Sequence, residues 1–580
     1  MNKRIQKHGG DIVAEILKRN GVKWIFTLCG GHISPILTGC NSRNIHVIDV
    51  RHESTAVFAA DAVSRISSQI GVAAVTAGPG LTNTITAIKN AQMAQVPILI
   101  ISGATPTVLK NRGSLQDINH LSIVKSITKY SKSIKSVRRI EPVLEKAINY
   151  ANSNTPGPVY IEIPVDLLYP ESIVREWYGL KSNNQSMPWW ISFYLNWNVN
   201  RIFKSNKTKY IETYKEPTNG NLKDDILKTD RIVSKSKKPI LLFGSQVMNQ
   251  QNQIRPLIDS IEKFNIPIFV SGMARGLMSK KNLPIFRHQR TLSLKEADVV
   301  ILVGVPCDFR LDYGRSINHN AKIISINLSK KDAFLNRKPH HAIITNPNKF
   351  IIEWSKSKNT SYKQNWKNWY QTLLKRDEEK KSNIKLQSEL NTQFVNPIKL
   401  FLKLNSYIKK DDIIIADGGD FVATASYILR PRAVNGWLDP GVFGTLGVGA
   451  GFILGSKLVN NKSTIWAIFG DGAFGYSLME FDSFVRHNIP VIAIIGNDAG
   501  WTQISRDQVE ILNDPISTEL TYTNYHKAVE SLGGKGYYID DINDLDDTLI
   551  KAKKTAKMGK PVAINIKIGK TEFRKGSISM

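Results

Sequence analysis

At 580 residues the chain exceeds what one hydrophobic core usually supports, so two to four domains of ordinary size are expected. Its 42% hydrophobic and 22% charged residues read as a globular protein, and 78 basic against 49 acidic residues leave a formal net charge of +29. Such a surplus suits polyanions, but the lysines are spread along the whole length and no RNA-binding or helix-turn-helix signature accompanies them, so nucleic acid is set aside as a partner and a field that draws in small anionic substrates is kept.

The first residues, Met1 to His8, are basic with no apolar run after them, which excludes a secretory signal. Short apolar runs then alternate with helical patterns: Trp24 to Leu28, Val47 to Val50, Val72 to Val75, Ile98 to Ser102 and Val159 to Ile163. Strands punctuated by helices predict a parallel sheet covered on both faces. Residues 176–225 lack sustained periodicity and read as a linker, within which Trp189, Phe193 and Trp197 fall at i, i+4 and i+8. On a helix these form one aromatic stripe, suited either to packing or to membrane contact.

A second α/β block follows, with strands at Pro239 to Phe243, Ile266 to Val270, Val299 to Val303 and Ile323 to Ile326, and then a polar helical connector from Glu353 to Gln393. The third block carries Ile413 to Ala416, Ile465 to Phe469, Val491 to Ile495 and Val562 to Ile566. The predicted architecture is α/β, with three doubly wound parallel-sheet domains in series at 1–175, 226–352 and 394–580, joined by linkers at 176–225 and 353–393. No stretch reaches the ~20 apolar residues of a membrane span. Cys29, Cys40 and Cys307 are too scattered for a disulfide framework or a metal site, and buried packing is expected of each.

The strongest chemical signal is Gly470-Asp471-Gly472 with Asn497 26 positions after Asp471. Each oxygen-bearing side chain follows an apolar strand, so both should emerge at the carboxyl ends of neighbouring parallel strands, where open sheets bind ligands. Mg²⁺ needs near-octahedral oxygen ligands and commonly bridges protein to diphosphate. Asp471, Asn497 and a backbone carbonyl near Ala499 are the candidate metal ligands. A dinucleotide-type glycine loop at Gly447 to Gly451 is rejected, because it lacks the preceding strand and the distant acid. Close helix packing is the plainer use of those glycines.

With this spacing the chain resembles the thiamine-diphosphate enzyme superfamily, whose signature is GDG followed by two asparagines; here the second is Asp498. The resemblance covers nearly the full length, as pyrimidine-binding, central and diphosphate-binding domains in that order. It implies that Glu53 of Arg51-His52-Glu53 bonds N1′ of the aminopyrimidine, and that Gly78 opens the family's GPG-x-TN turn, Gly78 to Asn83. It also implies that Gly444 accepts from the 4′-amino group, that Leu446 wedges the cofactor into a bent form, and that Gly419, Asp420 and Phe421 line the diphosphate loop beside Asp471, Gly472 and Asn497. Glu53 would then favour the imino tautomer, so that the cofactor acts as its own base. Glu53 and Asp471 should meet across a subunit interface, in a homodimer or homotetramer.

Longer matches, including Gly30 to Pro35, Ala91 to Gln95, Gly272 to Leu277 and Asn497 to Gln503, resemble the acetolactate synthase-like 2-hydroxyacyl-CoA lyases of the endoplasmic reticulum. They imply cleavage of 2-hydroxyacyl-CoA to formyl-CoA and an aldehyde one carbon shorter. Those proteins resemble membrane-anchored ones, whereas this chain begins without an apolar helix. Acetolactate synthesis from 2-oxo acids and a non-catalytic scaffold of the same fold are the alternatives. Arg310 of Asp308-Phe309-Arg310 is a candidate anion ligand or a surface ion pair. His32 and Gln116 are candidates for the catalytic channel, His32 because imidazole titrates near neutrality. Trp501 and Gln503 are placed to shape the substrate pocket. The resemblance allows FAD or ADP in the central domain, and the residues there do not choose between them.

Overall fold

The computed structural model describes residues 8–180, 187–204, 221–280, 282–357 and 366–575. The chain winds three sheets. The first holds β1 (Trp24–Thr27), β2 (His46–Asp49), β3 (Gly71–Val75), β4 (Ile98–Ala104), β5 (Tyr130–Ser133) and β6 (Val159–Pro164), in the order β2-β1-β3-β4-β6-β5. The second holds β7 (Pro239–Phe243), β8 (Ile268–Val270), β9 (Val299–Val303), β10 (Lys322–Asn327) and β11 (His341–Ile344), in the order β11-β10-β9-β7-β8. The third holds β12 (Ile413–Asp417), β13 (Trp437–Leu438), β14 (Ile465–Gly470), β15 (Ile492–Asn497), β16 (Lys535–Ile539) and β17 (Val562–Lys567), in the order β13-β12-β14-β15-β17-β16. Counted from its own first strand, the third order repeats the first. The similar rhythm of the outer blocks is therefore one topology used twice.

All strand pairings between the named strands are parallel. Central strands such as Gly71–Val75 and Val299–Val303 are buried at every position, as continuous apolar runs between two helical layers require. The four strands that periodicity does not reveal, β5, β11, β13 and β16, each close one side of a sheet. Their sequences, YSKS, HAII, WL and KGYYI, are short or partly polar, because an edge strand faces solvent on one side.

The molecule divides into two compact units. One comprises residues 1–216 with 441–445 and 450–455; the other comprises 217–440, 446–449 and 456–580, and so contains both later sheets. Part of the expected linker at 176–225 is a helix, Trp189–Phe203, while 181–186 and 205–220 lie outside the described residues. The connector after Glu353 contains the 22-residue helix Lys367–Ser388, whose Trp369 and Leu373 pack into the core around β7 and β9. Cys40 and Cys307 are buried free thiols, pushed by desolvation to about 12 and about 11. Cys29 is exposed, contrary to the packing role expected of it, because it follows the end of β1 on a loop.

The glycine-rich run ends in a close helix contact inside the first unit. A Cβ at Gly451 would lie 2.4 Å from Phe58 Cβ, and one at Gly455 2.4 Å from the Ala59 carbonyl oxygen. Phe452 meets Phe58 edge to face at 6.3 Å, with the Arg65 guanidinium 4.8 Å from the centroid of its ring. Gly455→Leu should therefore lower stability by roughly 1–3 kcal/mol or more through overpacking against backbone. Urea unfolding measures this, and a wild-type midpoint would show that the two segments do not approach so closely.

Candidate active site

Neighbouring strands of the third sheet end side by side: Gly470 pairs with Gly496, and Asp417 with Phe469. Asp471 follows at the first position of the helix Asp471–Ser477, and Asn497 is the last residue of β15. Oδ1 of Asp471 accepts from Gly472 N–H at 2.8 Å, and Oδ2 from Gly500 N–H at 3.3 Å. Burial, then the nearby Asp498 carboxylate, raise its pKa to about 7. The amide nitrogen of Asn497 donates to Thr523 O and Asn565 Oδ1, both at 3.2 Å, which turns Oδ1 toward the Ala499 N–H. Ala499 has a left-handed φ of 54°, and its carbonyl accepts from Leu520 N–H at 2.8 Å, leaving one lone pair for a metal.

This donor set fits Mg²⁺ shared with a diphosphate. It offers one carboxylate, one amide oxygen and one carbonyl, all hard oxygens. Among the described residues no group of three or more His, Cys, Asp or Glu side chains is poised to hold an ion alone. Two acids are crowded at the strand tips, and the repulsion that Asp498 adds at Asp471 is one that a divalent cation would relieve.

Beside these residues the loop after β12 is bare. A Cβ at Gly418 would come within 2.9 Å of Gly470 N, and one at Gly419 within 2.8 Å of Gln503 Oε1. Asp420 is ion-paired with Arg506. The Phe421 ring is buried against Phe401 and under Gly496, so its contribution to a ligand is confined to the backbone. Trp501 stacks where a Cβ on Gly472 would be, within 2.5 Å, and thereby shapes the metal loop. Asp498 accepts from the Thr502 hydroxyl at the start of the helix Thr502–Leu512.

Asp417 is a clamp. Buried at the end of β12, it accepts from Gly447 N–H at 3.2 Å and Gly449 N–H at 2.8 Å, and so fixes the segment just after Leu446. Burial raises its pKa to about 7 against the pull of those two donors. Gly444 takes a φ of 67°, with nothing within 4 Å of a Cβ position.

In the first unit, Glu53 opens the helix Glu53–Ile66, is buried, and accepts from Asn83 Nδ2 at 3.0 Å. The GPG-x-TN turn therefore ends on the glutamate that the resemblance singles out. Gly78 begins that turn with φ 61°; Gln116, itself left-handed at φ 62°, fills the place of its missing side chain. The Gly78 N–H donates to His120 Nε2 at 2.8 Å, and His120 Nδ1 lies 2.7 Å from Glu162 Oε2, so the imidazole carries its proton on Nδ1. His32 Nδ1 meets Thr76 Oγ1 at 3.1 Å, and burial lowers its pKa. His32, Gly78 and Gln116 are thus gathered at the carboxyl ends of β1, β3 and β4. Sequence reasoning missed Asn83 as a partner and His120 altogether; the pairing of His120 with Glu162 spans residues that no spacing rule connects.

Between the central and third sheets of the second unit, Arg275, Arg287, Arg290, Lys380 and Tyr427 line a cavity of about 310 Å³. Burial, then the neighbouring guanidinium of Arg430, lower Arg287 to about 10; burial, then Arg275, lower Arg290 to about 10. Arg287 donates to the carbonyls of Tyr427 (3.0 Å) and Leu429 (2.9 Å), and Arg290 to that of Arg310 (2.8 Å). Arg310 itself is held by both oxygens of Asp308, which makes it an ion-pair partner first.

Three family models cover these regions. They are the thiamine pyrophosphate enzyme N-terminal TPP binding domain at residues 7–123, the central domain at 228–353 and the C-terminal TPP binding domain at 417–566. The chain is 44% identical to the 2-hydroxyacyl-CoA lyase 2 of Danio rerio, covering 99% of this chain and 94% of that one. It is 42% identical to the Homo sapiens protein of the same name, covering 100% and 93%. An acetolactate synthase large subunit of Mycobacterium tuberculosis is 29% identical, covering 96% and 95%. With its three domains and these relatives, the chain belongs to the thiamine pyrophosphate enzyme family, alongside the proteins called 2-hydroxyacyl-CoA lyase 2.

Proposed function

We propose that the chain is a thiamine-diphosphate- and Mg²⁺-dependent lyase that cleaves 2-hydroxyacyl-CoA into formyl-CoA and an aldehyde one carbon shorter. The observation that carries the choice of an acyl-CoA is the cavity lined by half-buried arginines. A 2-oxo acid brings a single carboxylate, whereas a coenzyme A thioester brings several phosphate charges that repay the desolvation of Arg275, Arg287 and Arg290.

When bound, thiamine diphosphate supplies the electron sink for cleavage of the C–C bond next to the carbonyl. Asp471, Asn497 and the Ala499 carbonyl hold Mg²⁺, while the loop at Gly419 and Asp420 receives the diphosphate. Glu53 holds N1′ of the aminopyrimidine, its carboxylate oriented by Asn83. Leu446 wedges the cofactor, steadied by the Asp417 clamp on the residues after it. His32, with Nδ1 engaged by Thr76, keeps Nε2 to take or return the substrate hydroxyl proton. The active unit on this reading is a homo-oligomer in which two copies share each cofactor.

Incubation with a 2-hydroxyacyl-CoA should give formyl-CoA and the shortened aldehyde by mass spectrometry; acetolactate from pyruvate in their place would reverse the assignment. Glu53→Gln should keep cofactor affinity while losing on the order of 10²-fold or more in turnover. Near-normal rates would remove Glu53 from its role. Arg275→Ala combined with Arg290→Ala should raise KM for the acyl-CoA about tenfold or more. The same variant should leave the pantetheine thioester, which lacks the nucleotide, unaffected; an equal loss on both substrates would count against the nucleotide assignment.

A further inference from the structure

One feature of the first unit takes no part in this chemistry. The helix Trp189–Phe203 is fixed to its unit by one side only: Asn198, Val199 and Ile202 are buried, Asn198 donates to the Thr107 hydroxyl at 3.2 Å, and Arg175 donates to Asn196 and Asn200. The opposite side carries five large aromatic rings with no cover. Trp189 is 80% exposed, Trp190 60%, Phe193 67%, Tyr194 44% and Trp197 53%. At 100° per residue these five span an arc of about 140°. Isolated exposed apolar residues need no explanation, but a contiguous aromatic face marks a surface meant to be covered.

The kind of ring and the surrounding charge indicate what covers it. Tryptophan and tyrosine pair an apolar body with a polar N–H or O–H, the combination suited to the zone where lipid headgroups meet acyl chains. From 177 to 211 the sequence has five basic residues, Lys181, Arg201, Lys204, Lys207 and Lys209, and no Asp or Glu. Arg201 lies 5.2 Å from the ring centroid of Trp197, at the border of the aromatic face. The helix is 15 residues long, about 22 Å, short of the ~30 Å hydrocarbon core, and no helix among the described residues is long and apolar enough to cross a membrane. A helix with this pattern lies in the interface plane rather than across it.

We propose that the helix Trp189–Phe203 is a peripheral membrane-docking element that seats its aromatic face in the headgroup region of an anionic bilayer, with Arg201 and Lys204 held by the lipid phosphates. The inference is independent of the reaction catalysed.

The test uses the full chain with vesicles of phosphatidylcholine alone or mixed with phosphatidylserine, read by co-sedimentation and by tryptophan emission. The wild-type chain should bind the mixed vesicles with a blue shift, bind phosphatidylcholine alone more weakly, and lose binding as salt rises. The triple variant Trp189→Ser, Phe193→Ser, Trp197→Ser should lose on the order of tenfold or more in partitioning, with thermal midpoint, oligomer size and turnover of a soluble substrate unchanged. Should that variant misfold, Arg201→Glu with Lys204→Glu should still weaken binding to the mixed vesicles selectively. Absence of wild-type binding, or equal binding by the variants, overturns the proposal. So does an assembly, seen in sedimentation without vesicles, that the triple variant dissolves, since a second copy would then be what covers the face.

Discussion

The site depends on how a parallel sheet ends. Adjacent strands of such a sheet run in the same direction, so their carboxyl tips lie together even when the connecting helix separates them by many residues. The pairing of Gly470 with Gly496 brings Asp471 and Asn497 to one rim, and the pairing of Asp417 with Phe469 brings a third strand tip beside them. Because β12 and β15 are buried at every position and β14 at every position but its last, Gly470, their tips cannot splay without exposing apolar core. The rim is therefore held rigidly, and the hydrogen bonds that turn the Asn497 amide complete that rigidity.

Two local charge imbalances stand out against this frame. At the third sheet, Asp471 and Asp498 crowd together, and burial moves Asp471 toward neutrality. In the cavity beside it in the same unit, guanidinium groups crowd with few acids, and burial moves Arg287 and Arg290 downward. Uncompensated buried charge destabilises a protein by itself. On the proposed reading, a divalent metal would relieve the one imbalance and polyphosphate the other.

Much of this was legible in the sequence. The apolar runs identify central strands because burial on both faces leaves no room for polar residues, and the GDG-to-Asn spacing locates the rim because the helical crossover between β14 and β15 returns Asn497 beside Asp471. Tyr130–Ser133 stayed hidden because it lies at an edge where much of its surface is wet, and Trp437–Leu438, though buried, because two residues are too few to show a pattern. Glu53 and Gly78 were visible as separate motifs, but the Asn83 amide that joins them needed coordinates. His120, Asp417 and the arginine cavity were invisible for a shared reason. Each acts through partners distant in the chain, and a hydrogen bond from Gly78 to residue 120 leaves no periodic trace.

The contact of Phe58 with Phe452 also bears on how the chain reaches its native state. The helix Glu53–Ile66 leaves the ribosome early, whereas the glycine segment that closes over it is synthesised only after the whole central domain. Until then a strip of alanine, valine and phenylalanine must wait uncovered. Sequence separation of this kind slows productive collapse and lengthens exposure to aggregation. Nascent chains of this protein are accordingly expected to depend on holding chaperones until translation is nearly complete.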